Sequence, residues 1–233
     1  MTADDRSETP DGGDVAALGV GGTYRRVRRR FTDFLAGIDD GDWEAPVGAC
    51  PGWEVRDVLA HLVGIVEDAL AGRLTGPPPT EQTAAQVERH RAGTPRALLA
   101  RWDEIAAPFE EVVEAMEAWP AALDVASHEQ DVHTALGRRG PRDDPLVPFA
   151  AHRLAEGVDV GATVTFVLDG DTVTSVPGPG PDIAVRTTPF EVFRLRLGRR
   201  SRDQVAALDW SRDPSDVIDG LFVFGPAAQP LVE

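Results

Sequence analysis

Several common features are missing from this sequence, and each absence narrows what the protein can be. Lysine and asparagine are absent, so every basic side chain other than histidine is arginine. A single cysteine, Cys50, excludes a framework of disulfide bonds. No apolar run approaches the ~20 residues that span a bilayer. The polar, acidic first residues lack the basic start and apolar core of a secretory signal. The sequence therefore predicts a cytoplasmic protein.

Positive charge is scarce as well. The 233 residues include 23 basic and 39 acidic side chains, which give a formal net charge of −16. A protein that binds nucleic acid normally needs a basic surface to neutralise phosphates. An acidic surface is also poorly suited to anionic membranes. Neither nucleic acid nor a membrane is therefore expected as a partner.

The first 140 residues carry a series of helical patterns. Residues 1–13, rich in Asp, Gly, Ser and Thr, predict a disordered tail. Thr94-Pro95 is typical of a helix start and Gly137 of a helix end. Apolar residues recurring at helical spacing predict four main helices, at about 14–40, 53–71, 95–118 and 122–136, and a weak helix at 81–91. Residues 14–140 are therefore predicted to form a four-helix bundle.

The pattern changes after residue 148. Residues 164–168 and 172–176 alternate Val and Thr around Asp169-Gly170, which is a strong signal for a β-hairpin. A third strand is predicted at 183–187, and short helices are predicted before and after these strands along the sequence. Residues 150–233 thus predict a small α+β domain, and the whole chain is assigned to the α+β class.

Three side chains of the predicted bundle form a candidate metal site. Glu129 and His133 lie four residues apart, so they share one face of a helix. His61 lies in the apolar stretch of another helix. Two histidines and one carboxylate are a common catalytic zinc set that leaves one position open, and Ni²⁺ or Fe²⁺ also accepts such ligands. Each feature alone has a structural explanation, either a hydrogen-bonded core histidine or a helix-stabilising pair.

Two segments carry a resemblance to a known family. The segment 46–62 contains PGW followed by DVLAHL, and the segment 127–138 reads SHEQDVHTALGR. Both resemble the mycothiol-dependent maleylpyruvate isomerase family, whose N-terminal domain is a DinB-like four-helix bundle. The segment 190–201 is similar to the C-terminal domain of that family, so the resemblance covers nearly the whole chain after residue 13.

The resemblance implies a metal site and a cosubstrate. The ligands of the family correspond to His61, Glu129 and His133, which would bind a divalent metal, usually zinc. An arginine implicated in activity corresponds to Arg199, with Arg200 beside it. Mycothiol, the low-molecular-weight thiol of actinobacteria, is the cosubstrate of the family, and the GC-rich composition is compatible with such a host.

Two functions from different classes follow from this. The first is a metalloenzyme, an isomerase or thiol S-transferase, in which a metal activates the thiol for attack on a small electrophile. The second is a non-catalytic metal-binding bundle with a stress-related or regulatory role. The expected assembly is a monomer or a homodimer. Cys50 is interpreted as structural because no basic partner is evident. His128 and Asp131 are interpreted as residues that lie behind the metal ligands or at the surface.

Overall fold

The computed structural model describes residues 15–233, so the predicted disordered tail lies outside the described residues. The N-terminal part is helical, as predicted. Its helices are α1 (Val15–Ala36, with a break at Gly19), α2 (Val55–Leu70), α3 (Thr80–His90), α4 (Pro95–Ala115) and α5 (Trp119–Ala135). No helix among residues 15–233 is long and apolar enough to cross a membrane.

Four of these helices form a bundle. Helices α1 and α2 each pack against both α4 and α5, and α3 packs against α2. Large apolar side chains fill the space between the helices, and Trp102 at its centre is fully buried. Its indole N–H donates to the hydroxyl oxygen of Tyr24 at 2.9 Å, which satisfies a polar atom that burial would otherwise leave without a partner. The predicted four-helix bundle is confirmed.

One helix boundary differs from the sequence prediction. The third main helix was predicted to reach about residue 118 and the fourth to begin at about residue 122, but α5 already begins at the Trp119-Pro120 pair. Proline is tolerated in the first turn of a helix because the N–H that it lacks has no partner there. The preceding helix already ends at Ala115, and Glu117 takes a positive φ of 49° between the two helices.

The C-terminal part is a small α+β unit. Its elements are α6 (Leu146–Glu156), β1 (Ala162–Leu168), β2 (Asp171–Thr174), β3 (Gly180–Arg186), α7 (Pro189–Arg196), α8 (Arg202–Ala206), β4 (Asp209–Trp210) and a final 3₁₀ turn (Ile218–Leu221). Strands β1 and β2 form the predicted antiparallel hairpin around Asp169-Gly170, and the sheet order is β2-β1-β3-β4. Strand β3 pairs with β1 in parallel and with β4 antiparallel.

Helix α7 connects the two parts because it is buried on both sides. Phe190 and Phe193 join the core of the helical bundle, whereas Val192 and Leu195 join the core under the sheet. Helix α6 packs along α7. A helical N-terminal part followed by a small α+β part is the predicted fold class, which is confirmed. The boundaries at 14–140 and 150–233 stay a prediction.

A buried carboxylate fastens α1 to the start of α6. Asp144 accepts hydrogen bonds from the guanidinium groups of Arg26 and Arg30 and from the backbone N–H of Leu146. These contacts hold the two helices together.

We expect Asp144→Ala to lower the free energy of unfolding by about 3 kcal/mol, because it removes the carboxylate that pairs with the mostly buried Arg26 and one of the two that pair with Arg30. Asp143, whose side chain is 94% exposed, is the matched control, and its alanine variant should stay within about 0.5 kcal/mol. Equal effects in chemical denaturation would contradict this role.

Candidate functional site

The middle of α5 carries five consecutive polar residues, 127–131 (SHEQD), and all five are buried. They are buried together because α1 and α2 contact one part of the helix and side chains of the C-terminal unit contact another. Successive residues on a helix point about 100° apart, so neighbouring members of this run meet different partners. The run therefore builds two separate arrangements.

Two of the three predicted metal ligands face α1. Both oxygens of Glu129 accept hydrogen bonds from Arg30, at 2.8 and 2.5 Å. The ring of His133 stacks on Phe34 with centroids 3.9 Å apart, and its Nδ1 has no hydrogen-bond partner within the described part of the chain. Among the described residues, the structure thus brings only His61 of the predicted set to a group of potential ligands, and the assignment of Glu129 and His133 as ligands stays a prediction.

The side chains that meet His61 come from the preceding turn of α5. Asp124 Oδ2 lies 3.9 Å from His61 Nε2, and Asp124 Oδ1 lies 3.6 Å from His128 Nε2. One ligand atom from each of the three residues lies within 4.8 Å of the others. Asp124 and His128 are four residues apart, which is the spacing that was predicted for Glu129 and His133. The His61–Asp124–His128 cluster is therefore a two-histidine, one-carboxylate set in which Asp124 remains about one-third exposed.

A hydrogen-bond relay orients the His61 ring. Gln86 Oε1 lies 2.9 Å from His61 Nδ1, and Gln86 Nε2 donates to Asp68 Oδ2 at 2.8 Å. A carboxylate only accepts, so the amide N–H of Gln86 must face Asp68 and its oxygen must face the ring. His61 Nδ1 therefore carries the proton, and Nε2 presents its lone pair to the cluster.

Asp68 is in turn held by arginines from α3 and the loop after α2. Arg73 and Arg89 both donate to its Oδ1, at 2.6 and 2.8 Å. Burial raises the pKa of Asp68, but the hydrogen bonds from Gln86 and these arginines outweigh it and hold the pKa well below its usual range. A permanently ionised Asp68 keeps Gln86 in the orientation that His61 needs.

His128 has a second set of neighbours at its other nitrogen. Its Nδ1 lies 3.2 Å from Asp131 Oδ2 and 3.8 Å from Cys50 Sγ. Burial lowers the pKa of His128, but the charges of Cys50 and Asp124 and the hydrogen bond to Asp131 raise it to about 10. The negative groups around the ring favour a cation, and a metal at Nε2 would take the place of the proton there, with Asp131 accepting from Nδ1–H.

The loop before α2 places Cys50 and Trp53 against the histidines. Its backbone closes a tight turn, in which Val47 N–H donates to Trp53 O at 2.9 Å and Trp53 N–H donates to Cys50 O at 2.9 Å. The Trp53 ring lies 5.1 Å from His61 and 6.3 Å from His128. The interpretation of Cys50 as structural assumed that it has no basic partner, but its Sγ lies 3.8 Å from Nδ1 of His128 and 3.8 Å from Oδ2 of Asp131.

The predicted active-site arginine, Arg199, reaches the same place from the C-terminal unit. Helix α7 ends in a Schellman motif, in which Arg199 N–H donates to Arg194 O at 2.8 Å across Gly198, whose φ is +78°. Only glycine takes this conformation readily. The guanidinium of Arg199 then donates to Asp131 Oδ2 through Nε at 3.3 Å and Nη2 at 3.0 Å.

These features define a class of protein. It consists of a helical bundle followed by an α+β unit, with a candidate metal centre where the two meet. The chain matches the family of the mycothiol maleylpyruvate isomerase N-terminal domain over residues 24–156, more than half of its length. The chain belongs to this family, so the resemblance of its sequence motifs is confirmed. No curated protein matches it.

Solved structures of two relatives share the fold. The crystal structure of a mycothiol-dependent maleylpyruvate isomerase is similar with a TM-score of 0.52 and 14% sequence identity, over 83% of this chain and 92% of that chain. A histidine-to-alanine mutant described under the same enzyme name gives a TM-score of 0.50 and 15% identity over the same shares. At such low identity the similarity establishes the fold alone.

Sequence reasoning missed Asp124, Gln86 and the second contact of His128. Asp124 has the right spacing from His128, but spacing cannot say which face of α5 is turned toward α2. Gln86 lies on the helix with the weakest pattern, and nothing in its sequence neighbourhood marks it. The one usable signal was the run of polar residues within the helix, which is unusual for an element that packs in a core.

The relay predicts a specific state of His61. Burial lowers the pKa of His61 to about 4. The ring should therefore be neutral above about pH 5, and Gln86 should hold the proton on Nδ1. Long-range ¹H–¹⁵N NMR of the ring nitrogens measures this state directly. Gln86→Leu should abolish the tautomer preference, and a protonated ring or an Nε2–H tautomer in the wild type at pH 7 would contradict the relay.

Proposed function

We propose that the chain is a mycothiol-dependent metalloenzyme in which His61, Asp124 and His128 hold a divalent ion, with zinc as the expected metal. The ion activates a low-molecular-weight thiol for addition to, or transfer onto, a small electrophile, as a maleylpyruvate isomerase or thiol S-transferase requires. The observation that carries this proposal is the convergence of two histidines, one carboxylate and Arg199 in a member of this family.

The donor set fits a divalent ion. Ligand atoms about 2.1 Å from a tetrahedral zinc lie about 3.4 Å apart. Asp124 Oδ1 lies 3.6 Å from His128 Nε2 and its Oδ2 lies 3.9 Å from His61 Nε2, and one ligand atom from each of the three residues lies within 4.8 Å of the others. Small rotations of the side chains would complete the site, and three protein ligands leave a position for the thiol.

Each neighbour of the cluster has a definable task. When bound, the metal supplies the positive charge that lowers the pKa of a coordinated thiol. Gln86 keeps the lone pair of His61 Nε2 directed at the cluster, and Asp131 accepts the Nδ1 proton of His128. Trp53 covers both rings and limits the access of water from its side.

Arg199 supports the binding of an anionic substrate. Its side chain is 13% exposed, and two of its N–H groups are already directed at Asp131. A third N–H, on Nη1, donates to Leu197 O at 2.5 Å. A guanidinium offers five donors in a plane, so two remain for a substrate carboxylate. Because Asp131 holds the group in place, little conformational freedom is lost when the carboxylate binds.

The metal proposal is tested by two matched pairs on one helix. We expect Asp124→Asn and His128→Gln each to reduce the metal content of the purified protein at least about tenfold, because each removes one ligand. Glu129→Gln and His133→Gln likewise change a carboxylate and a histidine at the same spacing, five positions later, and should retain the metal. Elemental analysis measures both pairs.

The reverse result would favour the metal ligands predicted from the sequence, which are His61, Glu129 and His133. If the substitutions at positions 129 and 133 remove the metal and those at 124 and 128 retain it, the His61–Asp124–His128 cluster is not the metal site. His61→Ala should lose the metal under either assignment. It should also lose thiol conjugation, so retained activity in that variant would overturn the enzymatic proposal.

The substrate side of the proposal predicts a selective kinetic defect. Arg199→Gln should lower kcat/KM for a carboxylate electrophile such as maleylpyruvate by about 10- to 100-fold, because a charged hydrogen bond is lost. An uncharged electrophile tested with the same thiol is the control and should change much less. An equal loss for both substrates would assign Arg199 a structural role instead.

A further inference from the structure

We propose that Arg194 and Arg200 form a buried binding site for a carboxylate, which the chain fills with the side chain of its own Glu233. A small carboxylic acid would take this place when the segment 226–233 detaches. The proposal goes beyond the proposed function, since neither the metal nor the thiol enters it.

The contacts of Glu233 are those of a bound carboxylate ligand. Arg194 donates to one oxygen through Nη2 and to the other through Nε at 3.1 Å. Arg200 Nη1 donates to the second oxygen at 2.7 Å. The three side chains are 0, 7 and 3% exposed for Arg194, Arg200 and Glu233, respectively. Two guanidinium groups thus enclose both carboxylate oxygens away from water, which is the geometry of specific carboxylate recognition.

Both arginines are held in place without Glu233. Arg194 also donates to Asp131 and, through Nη1, to Ser127 O and Oγ at 3.2 and 3.1 Å. Arg200 donates to Glu191 through Nε at 2.7 Å and Nη2 at 2.8 Å. The site would therefore keep its shape when Glu233 leaves, and an incoming carboxylate would find both guanidinium groups already oriented.

The charge balance favours replacement of one anion by another. Arg194, Arg199 and Arg200 face the carboxylates of Asp131, Glu191 and Glu233, which balances three positive charges with three negative ones. Withdrawal of Glu233 leaves one excess positive charge in a region shielded from water. An unpaired buried charge is costly, so the emptied site favours an anion and disfavours a neutral molecule.

The segment that carries Glu233 is attached at few points. Ala227 N–H donates to Arg200 O at 2.9 Å, and the side-chain amide of Gln204 exchanges two hydrogen bonds with the backbone of Leu231, at 2.7 and 3.1 Å. Val232 is 88% exposed, and no residue of 226–233 belongs to either hydrophobic core of the described chain. Apart from the ion pairs of Glu233, which an incoming carboxylate would replace, detachment therefore disrupts hydrogen bonds that water can replace and exposes little apolar surface.

The occupant of this site can influence the candidate metal cluster. The Nη2 atom of Arg194 donates to both Glu233 and Asp131. Asp131 in turn lies 3.2 Å from Nδ1 of His128. Leu231 packs beside Gly48, in the loop that carries Cys50. A carboxylic acid that displaces the segment would thus change contacts on two sides of the cluster.

The experiment uses the full chain without added thiol and propionate as the probe, because propionate reproduces the end of the glutamate side chain. Propionamide at the same concentration and ionic strength is the uncharged control. Binding is followed by NMR at the Nε–H signals of Arg194 and Arg200. Glu233→Gln should bind propionate at least tenfold more tightly than the wild type, and propionamide should leave both signals unchanged.

A matched variant separates a built site from a general effect of charge. Glu191→Gln removes the other carboxylate from Arg200 but leaves Glu233 in place, so its affinity for propionate should stay near that of the wild type. Equal gains in both variants, or no gain in Glu233→Gln, would overturn the proposal. The glutamine side chain of the Glu233→Gln variant could itself fill the site. A variant that lacks residues 226–233 avoids this and should show the same gain in propionate affinity. The gain of Glu233→Gln over the wild type should persist after chelation of metal, so failure of the metal proposal would remain distinguishable.

Discussion

The carboxylate of Asp131 is the contact on which the arrangement of the site depends. Its side chain has no exposure to water, and it receives hydrogen bonds from Arg194 and Arg199 of the C-terminal unit while facing Nδ1 of His128 within the bundle. Burial raises the pKa of Asp131, but the two arginines hold it well below its usual range. Without these partners an ionised carboxylate at this place would be strongly unfavourable. The same interaction therefore fastens the two parts of the protein together and orients a histidine of the candidate metal cluster.

The helices and strands that could be predicted are those whose local residue pattern agrees with their position in the fold. Helix α2 has a clear apolar stripe because one side of it faces the bundle core. The hairpin of β1 and β2 was predictable because Asp169-Gly170 fits the tight turn between the strands. The start of α5 could not be predicted, because Trp119-Pro120 is compatible with both the end of one helix and the beginning of the next.

The site was only partly predictable because spacing does not determine the rotation of a helix. Asp124 with His128 and Glu129 with His133 both satisfy the four-residue spacing, and the two pairs, offset by five residues, point about 140° apart. An amphipathic helix resolves such a choice, since its apolar side faces the core. Helix α5 is buried on several sides and has no such direction, so only the packing of Arg30 against Glu129 and of His61 against Asp124 decides it. His61 was identified because it lies in an apolar stretch and in a family motif, whereas Gln86 has neither signal.

The chemistry of the site is divided between the two parts of the chain. The bundle supplies His61, Asp124 and His128, a set that favours a cation, and the C-terminal unit supplies arginines, which favour anions. Neither half is complete alone. The arginines need Asp131 of the bundle to keep their charge balanced, and His128 needs Asp131 fixed by those arginines to keep its Nδ1 partner in place. A thiol reaction on an anionic substrate needs both a cation at the thiol and a cationic side chain at the substrate carboxylate. Helix α7 packs into both hydrophobic cores, and it thereby holds the arginines at a fixed distance from the candidate metal cluster.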